Sequence, residues 1–153
     1  MIEDKTKKFG NKSWTFISFL YSTTGIFTYF FFVAIAFGQI KVVDADTIVL
    51  NEEKIRLYGI DAPERNQYCY VNREAWPCGK QATKYLKNLL KDVSPSSVNC
   101  KISSKDRYGR SIGVCYIEDK NINRNLVENG WALTYREYSK DFIHNEIIAS
   151  KRK

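Results

Sequence analysis

The sequence predicts an α+β, mainly β fold: a small five-stranded, partly open barrel with three helices, preceded by one N-terminal hydrophobic helix. Three observations carry that expectation. Five β-rich runs are broken by turn residues, apolar stripes at helical spacing lie between and after them, and an uncharged apolar stretch precedes them all.

That stretch comes first in the chain. No charged residue occurs from Ser13 to Ile40, and Trp14 to Phe37 is 24 residues, long enough to cross a bilayer as a helix. Residues 1–13 form a basic segment with Lys5, Lys7, Lys8 and Lys12, so the positive-inside rule places the N-terminus in the cytoplasm and everything after Gln39 outside. Residues 14–37 are either a signal peptide, with small residues at Ala34 and Ala36 for cleavage, or a signal-anchor transmembrane helix. Their length favours the anchor. Residues 38–153 make the folded domain.

Within it, Gln39–Val43, Thr47–Leu50 and Lys54–Ile60 read as a three-stranded meander. Residues 61–78 contain two prolines and no sustained period, and read as a long loop. From Gly79 to Lys91, Ala82, Tyr85, Leu86, Leu89 and Leu90 form the stripe of a one-sided helix. Val98–Ile102 and Ser111–Ile117 read as strands four and five around the turn Ser103–Arg110. Asn121–Glu128 reads as a short helix ending at Asn129-Gly130, and Lys140–Ser150 as the last helix. This order suits a barrel of the oligonucleotide-binding (OB) type.

The formal charge is +7, and removing residues 1–36 leaves 20 basic against 15 acidic residues, so the surplus belongs to the domain. A basic, Tyr-rich domain suits a polyanionic partner such as DNA or RNA. With a single histidine and no CxxC pair, a zinc site of the usual spacing is not expected. The four cysteines all follow the apolar stretch, which fits an oxidising compartment and two disulfides, free buried thiols being the alternative. Of the three pairings, Cys100–Cys115 is favoured because the two flank the midpoint of the expected hairpin; Cys69–Cys78 follows by elimination.

Ionisable residues gather in four short segments at strand ends and turns: Asp44-Ala45-Asp46-Thr47, Arg56-Leu57, Asp61-Ala62-Pro63-Glu64 and Asp106-Arg107-Tyr108-Gly109-Arg110. Carboxylates offer hard oxygen ligands and a base for water, and guanidinium forks match phosphate oxygens, which together are the requirements of phosphodiester hydrolysis. An all-oxygen ligand set favours Ca²⁺, and less strongly Mg²⁺, over zinc.

The runs V-V-D-A-D-T, R-L-Y-G-I-D-A-P-E and D-R-Y-G-R, in that order and spacing, resemble the signature of the staphylococcal nuclease (thermonuclease) family. The segments C-G-K-Q-A-T and N-G-W-A-L-T-Y-R-E-Y extend the likeness over about residues 38 to 150. The resemblance implies an OB-type five-stranded barrel with three helices and a Ca²⁺-dependent nuclease acting on DNA or RNA. By position it implies Asp46 and Asp61 as metal ligands, the backbone carbonyl of Ala62 as a third, and Asp44 as a supporting carboxylate. It implies Glu64 as the base for the attacking water and Arg56 and Arg110 as the clamp on the scissile phosphate. Arg107 and Tyr108 would touch a terminal phosphate, and Tyr138 and Tyr135 would line the nucleotide pocket. A barrel that binds nucleic acid without cutting it is the alternative, and a monomer without a protein partner is expected.

Two departures from the family pattern are small: Ala45 where glycine is common and Ala62 where the reference member has threonine. The third is the end at Lys153, where family members commonly continue into a Trp-containing tail, with the expectation of less buried apolar area.

Overall fold

The computed structural model describes residues 39–152; the basic segment 1–13 and the hydrophobic segment 14–37 lie outside the described residues. Strands β1 (Ile40–Asp44), β2 (Thr47–Leu50) and β3 (Glu53–Leu57) form the expected antiparallel meander. Asn51 and Glu52, between β2 and β3, have φ of 49° and 70°. This is the mirror-image turn whose twist matches that of the strands it joins.

The third strand, expected to run to Ile60, stops at Leu57. A turn at Tyr58-Gly59 separates it from β4 (Ile60–Asp61). Gly59 has φ +74°, and an added Cβ would lie 2.9 Å from the Cβ of Ser139, so both conformation and space require glycine there. The turn lets the chain leave the main sheet just before Asp61.

Residues 61–78 are not the unstructured loop expected. They contain a hairpin of β5 (Cys69–Val71) and β6 (Glu74–Trp76), turned at Asn72-Arg73 with positive φ of 51° and 71°. Three-residue strands are too short to show a period, and the turn lacks the glycine that usually marks it. Helix α1 (Cys78–Leu90) then buries Ala82, Leu86 and Leu90 of the predicted stripe, with Thr83 beside them, and begins one residue early. Tyr85 and Leu89 pack partly buried against the core.

Strand β7 (Val98–Lys105) runs three residues beyond expectation before its turn, and β8 (Ser111–Ile117) returns antiparallel to it with Cys100 opposite Cys115. Both expected disulfides, Cys69–Cys78 and Cys100–Cys115, are present. β8 also pairs with β3 in parallel and with β9 (Lys120–Asn121) antiparallel, giving a mixed six-stranded sheet of order β1-β2-β3-β8-β7 with β9 attached to β8.

Asn121 caps α2 (Ile122–Glu128), its side chain accepting the Arg124 N–H at 2.9 Å. Gly130, with φ +73°, ends that helix as anticipated. A short strand that the sequence did not indicate, β10 (Leu133–Thr134), pairs with β4. Helix α3 (Ile143–Ser150) starts three residues later than expected, because the Asp141 N–H is bound by the Ser139 hydroxyl at 3.1 Å in a turn of its own.

The core is continuous, with Ile48, Ile55, Leu57, Ile60, Leu86, Ile122, Leu126 and Val127 all fully buried. Each such side chain contributes about 1.5 to 3 kcal/mol by leaving water. One buried polar residue organises the sheet's end: Asn123 accepts the Cys115 N–H at 3.0 Å and donates to the Tyr58 carbonyl at 2.8 Å. It thereby locks α2 to the Tyr58-Gly59 turn, which is flanked by Arg56 in β3 and Asp61 in β4.

Candidate active site

Strand ends bring three of the predicted residues into contact. Asp46 follows β1, Arg56 lies in β3 and Asp61 ends β4. The Arg56 guanidinium lies 2.9 Å from Asp46 Oδ2 and 3.4 Å from Asp61 Oδ1, so one cation bridges two carboxylates. Asp46 is buried, whereas the Asp61 side chain is well exposed. The other Asp46 oxygen accepts the Thr47 hydroxyl at 2.8 Å.

Burial raises the Asp46 pKa from its ordinary value, and this exceeds the opposing effects of Arg56 and the Thr47 hydrogen bond. A desolvated carboxylate that its arginine only partly compensates has a high affinity for further positive charge. With Asp61 alongside and the Ala62 carbonyl next in the chain, the donors are all hard oxygens, which fits a hard divalent cation such as Ca²⁺. Ala45 is completely buried between the two aspartates, so the methyl group replacing the common glycine is accommodated.

Beside this cluster lies an open groove of about 660 Å³ lined by Arg56, Arg107, Tyr108, Arg110, Tyr135 and Tyr138. Asp106 holds Arg110 by a 2.6 Å contact to Nε and also accepts the N–H groups of Tyr108 and Arg110, each at 2.9 Å. Burial works against ionisation of Asp106, but these hydrogen bonds outweigh it and lower its pKa. The pair uses Nε of Arg110, not its two terminal nitrogens. Arg107 stacks over Tyr108 at 4.8 Å, and Tyr135 meets Tyr138 edge to face at 4.7 Å. The Tyr58 hydroxyl donates to the Tyr138 carbonyl at 2.6 Å, fixing that wall of the groove. Tyr138 remains 60% exposed, so its ring is open to a base, while Tyr108, 69% exposed, carries the Arg107 guanidinium over its ring. Burial and the nearby Glu137 raise the Tyr135 pKa, keeping its hydroxyl protonated.

Glu64 and Asp44 are not among the groove residues. They line a shallower depression together with Arg65, whose backbone N–H reaches Asp44 Oδ1 at 3.3 Å and whose guanidinium donates to the Val43 carbonyl. The Glu64 backbone is docked on the start of α1. Gly79 donates to the Gln67 carbonyl at 3.2 Å, Gln67 donates to the Glu64 carbonyl at 2.8 Å, and an added Cβ on Gly79 would sit 1.6 Å from that carbonyl. The Cys69–Cys78 disulfide closes the same loop.

The sequence reading assigned no role to Asp106, Arg65, Tyr58 or Gly79. The i, i+4 spacing of Asp106 and Arg110 and the glycine opening α1 were the available signals; the other two contacts are long-range and left none.

Residues 54–153, the greater part of the chain, match the family model described as staphylococcal nuclease homologue. The chain belongs to this family. The match starts at Lys54, so Arg56, Asp61, Glu64 and Arg110 fall inside it while Asp44 and Asp46 precede it. Among relatives of this staphylococcal nuclease homologue, the succinoglycan biosynthesis protein ExoI of Rhizobium meliloti is 40% identical over 98 residues, covering 63% of this chain and 50% of its own length. An uncharacterized endonuclease of Escherichia coli is 34% identical over 122 residues, covering 74% of this chain and 72% of its own. The thermonuclease of Staphylococcus hyicus is 28% identical over 118 residues, covering 74% and 67%. The chain thus spans about half the length of the rhizobial protein and more of the other two.

Proposed function

We propose that this staphylococcal nuclease homologue hydrolyses phosphodiester bonds of DNA or RNA, with Ca²⁺ as its metal. One observation carries the proposal: the Asp46–Arg56–Asp61 cluster adjoins a groove that also presents Arg110 and exposed tyrosines. Carboxylates beside guanidinium forks suit a phosphate diester; tyrosine faces suit its bases. Family membership and relatives named as endonucleases or thermonuclease support the same conclusion.

In this proposal Asp46, Asp61 and the Ala62 carbonyl hold the cation, with Asp44 orienting the neighbouring backbone. Ca²⁺, when bound, supplies charge neutralisation at the phosphate. Glu64 takes a proton from water as the water oxygen bonds to phosphorus, and the phosphorus–ester oxygen bond breaks, its oxygen gaining a proton from solvent. Arg56 and Arg110 donate to the equatorial oxygens, where charge grows in the transition state. Arg107 and Tyr108 bind a flanking phosphate, and Tyr135 and Tyr138 hold the base. The two disulfides support a site of action outside the cytoplasm, anchored by residues 14–37 or released from them.

The test is degradation of single-stranded DNA by the full chain in neutral detergent. Cleavage with Ca²⁺ that EGTA stops is expected. A folded protein that binds DNA but cuts nothing with any divalent cation would instead be the non-catalytic binding module.

A further inference from the structure

Helix α1 carries a feature that the cleavage chemistry does not use. Its lysines fall at 80, 84 and 87, and Lys91, the helical C-cap residue, continues the series. At 100° per residue these four lie within an arc of about 60°, a single stripe about 16 Å long. All four are exposed, and α1 contains no carboxylate. The opposite face, Ala82, Leu86 and Leu90, is committed to the core.

Two further facts connect the stripe to the active site. Lys80 directly follows Gly79, on which the Glu64 loop is docked. Farther along, Lys87 and Lys91 line a trough of about 610 Å³ with Lys41 and Arg65, and no carboxylate lines it. Arg65 also borders the Glu64 depression, so one cationic path runs from the catalytic loop along the helix. Among the described residues, the carboxylates paired with this path are Asp44 on Arg65, at 3.9 Å, and Asp92 on Lys91, at 3.6 Å.

We propose that Lys80, Lys84, Lys87 and Lys91, with Lys41, form a phosphate-backbone track that holds the polynucleotide beyond the Glu64 side of the scissile bond. The inference rests on the proposed nuclease function. A linear row of exposed cations, in which Lys91 alone pairs with a carboxylate among the described residues, matches a polyanionic strand, and binding through it releases condensed counterions without reading sequence. Insertion of α1 into a membrane is not open to it, because its apolar face is already buried. The track makes the enzyme prefer long strands over short fragments, at no cost to the chemistry in the groove.

The experiment compares the full chain in neutral detergent with a variant carrying Lys80→Gln, Lys84→Gln, Lys87→Gln and Lys91→Gln. A second variant, carrying Lys54→Gln, Lys101→Gln, Lys120→Gln and Lys151→Gln, removes the same charge elsewhere. Binding of a long single-stranded DNA is followed by fluorescence anisotropy against salt; cleavage of that DNA and of a dinucleotide gives kcat and KM. In the stripe variant, Kd and KM for the long strand should rise roughly tenfold or more, and the slope of log Kd against log salt should fall by about 2 to 3. The KM of the dinucleotide and kcat should hold, and each single substitution should reduce the slope by about 0.7. Equal losses in both variants, or an unchanged long-strand Kd, would overturn the track. So would loss of binding to phosphatidylglycerol vesicles with DNA binding intact, which would assign the stripe to lipid. Stripe-dependent DNA binding with no cleavage would contradict the nuclease proposal alone, and cleavage indifferent to strand length would contradict the track alone.

Discussion

Asp46 is the residue where stability and the proposed chemistry oppose each other. Burial raises its pKa, so the folded state holds a proton more tightly than the unfolded chain does. The stability this contributes is complete below the ordinary aspartate range and is lost as pH rises through the folded value. At neutral pH the charged carboxylate is therefore a burden on the fold. Asp46→Asn should raise the melting temperature at pH 7 while abolishing Ca²⁺-dependent cleavage, checked by thermal unfolding and nuclease assay on the same sample. A lower melting temperature would show instead that the Arg56 contact stabilises more than burial costs. The motif made Asp46 and Asp61 legible from sequence as a pair, but not that Arg56 lies between them, because that contact depends on the β2–β3 register, Thr47 opposite Arg56.

At the scale of elements, the loop bearing Glu64 is held by α1, not by the sheet that carries Asp46 and Arg56. Gly79 is the joint. An alanine methyl there would meet the Glu64 carbonyl, a backbone atom that cannot move without moving the loop. Gly79→Ala should cost about 1 to 3 kcal/mol in thermal unfolding and reduce kcat more than it raises KM, since the groove is elsewhere. Unchanged kcat would separate Glu64 from this docking. The elements were readable to differing degrees. The α1 stripe and the β7–β8 pairing, which placed Cys100 opposite Cys115, were legible because period and midpoint are local properties. The β5–β6 hairpin and β10 were not, because strands of two or three residues carry no period and depend on distant partners.

For the whole molecule, α3 is tied to β10 through one carboxylate. Glu146 accepts the Thr134 N–H at 2.9 Å and pairs with Arg136 at 3.0 Å. Burial opposes ionisation of Glu146, but these partners outweigh it and hold its pKa below the ordinary 4.5. Here the linkage has the opposite sign to that of Asp46. The stability is present above the ordinary value and lost as pH falls through the folded one. Glu146→Gln should therefore cost about 1 kcal/mol at pH 7 and flatten the loss of stability below about pH 4.5, measured by urea unfolding across pH. The overall class, α+β with three helices, was readable from element order, whereas the mixed connection of the sheet was not: β3 pairs with β8 in parallel, a contact that spans the whole α1 segment.

The most direct test of the account is single-turnover cleavage of single-stranded DNA by Glu64→Gln, with Ca²⁺ saturating and folding verified by thermal unfolding. If Glu64 is the base, the rate should fall by about two to four orders of magnitude while the DNA Kd stays the same. A folded Glu64→Gln protein cutting at the wild-type rate would contradict the mechanism.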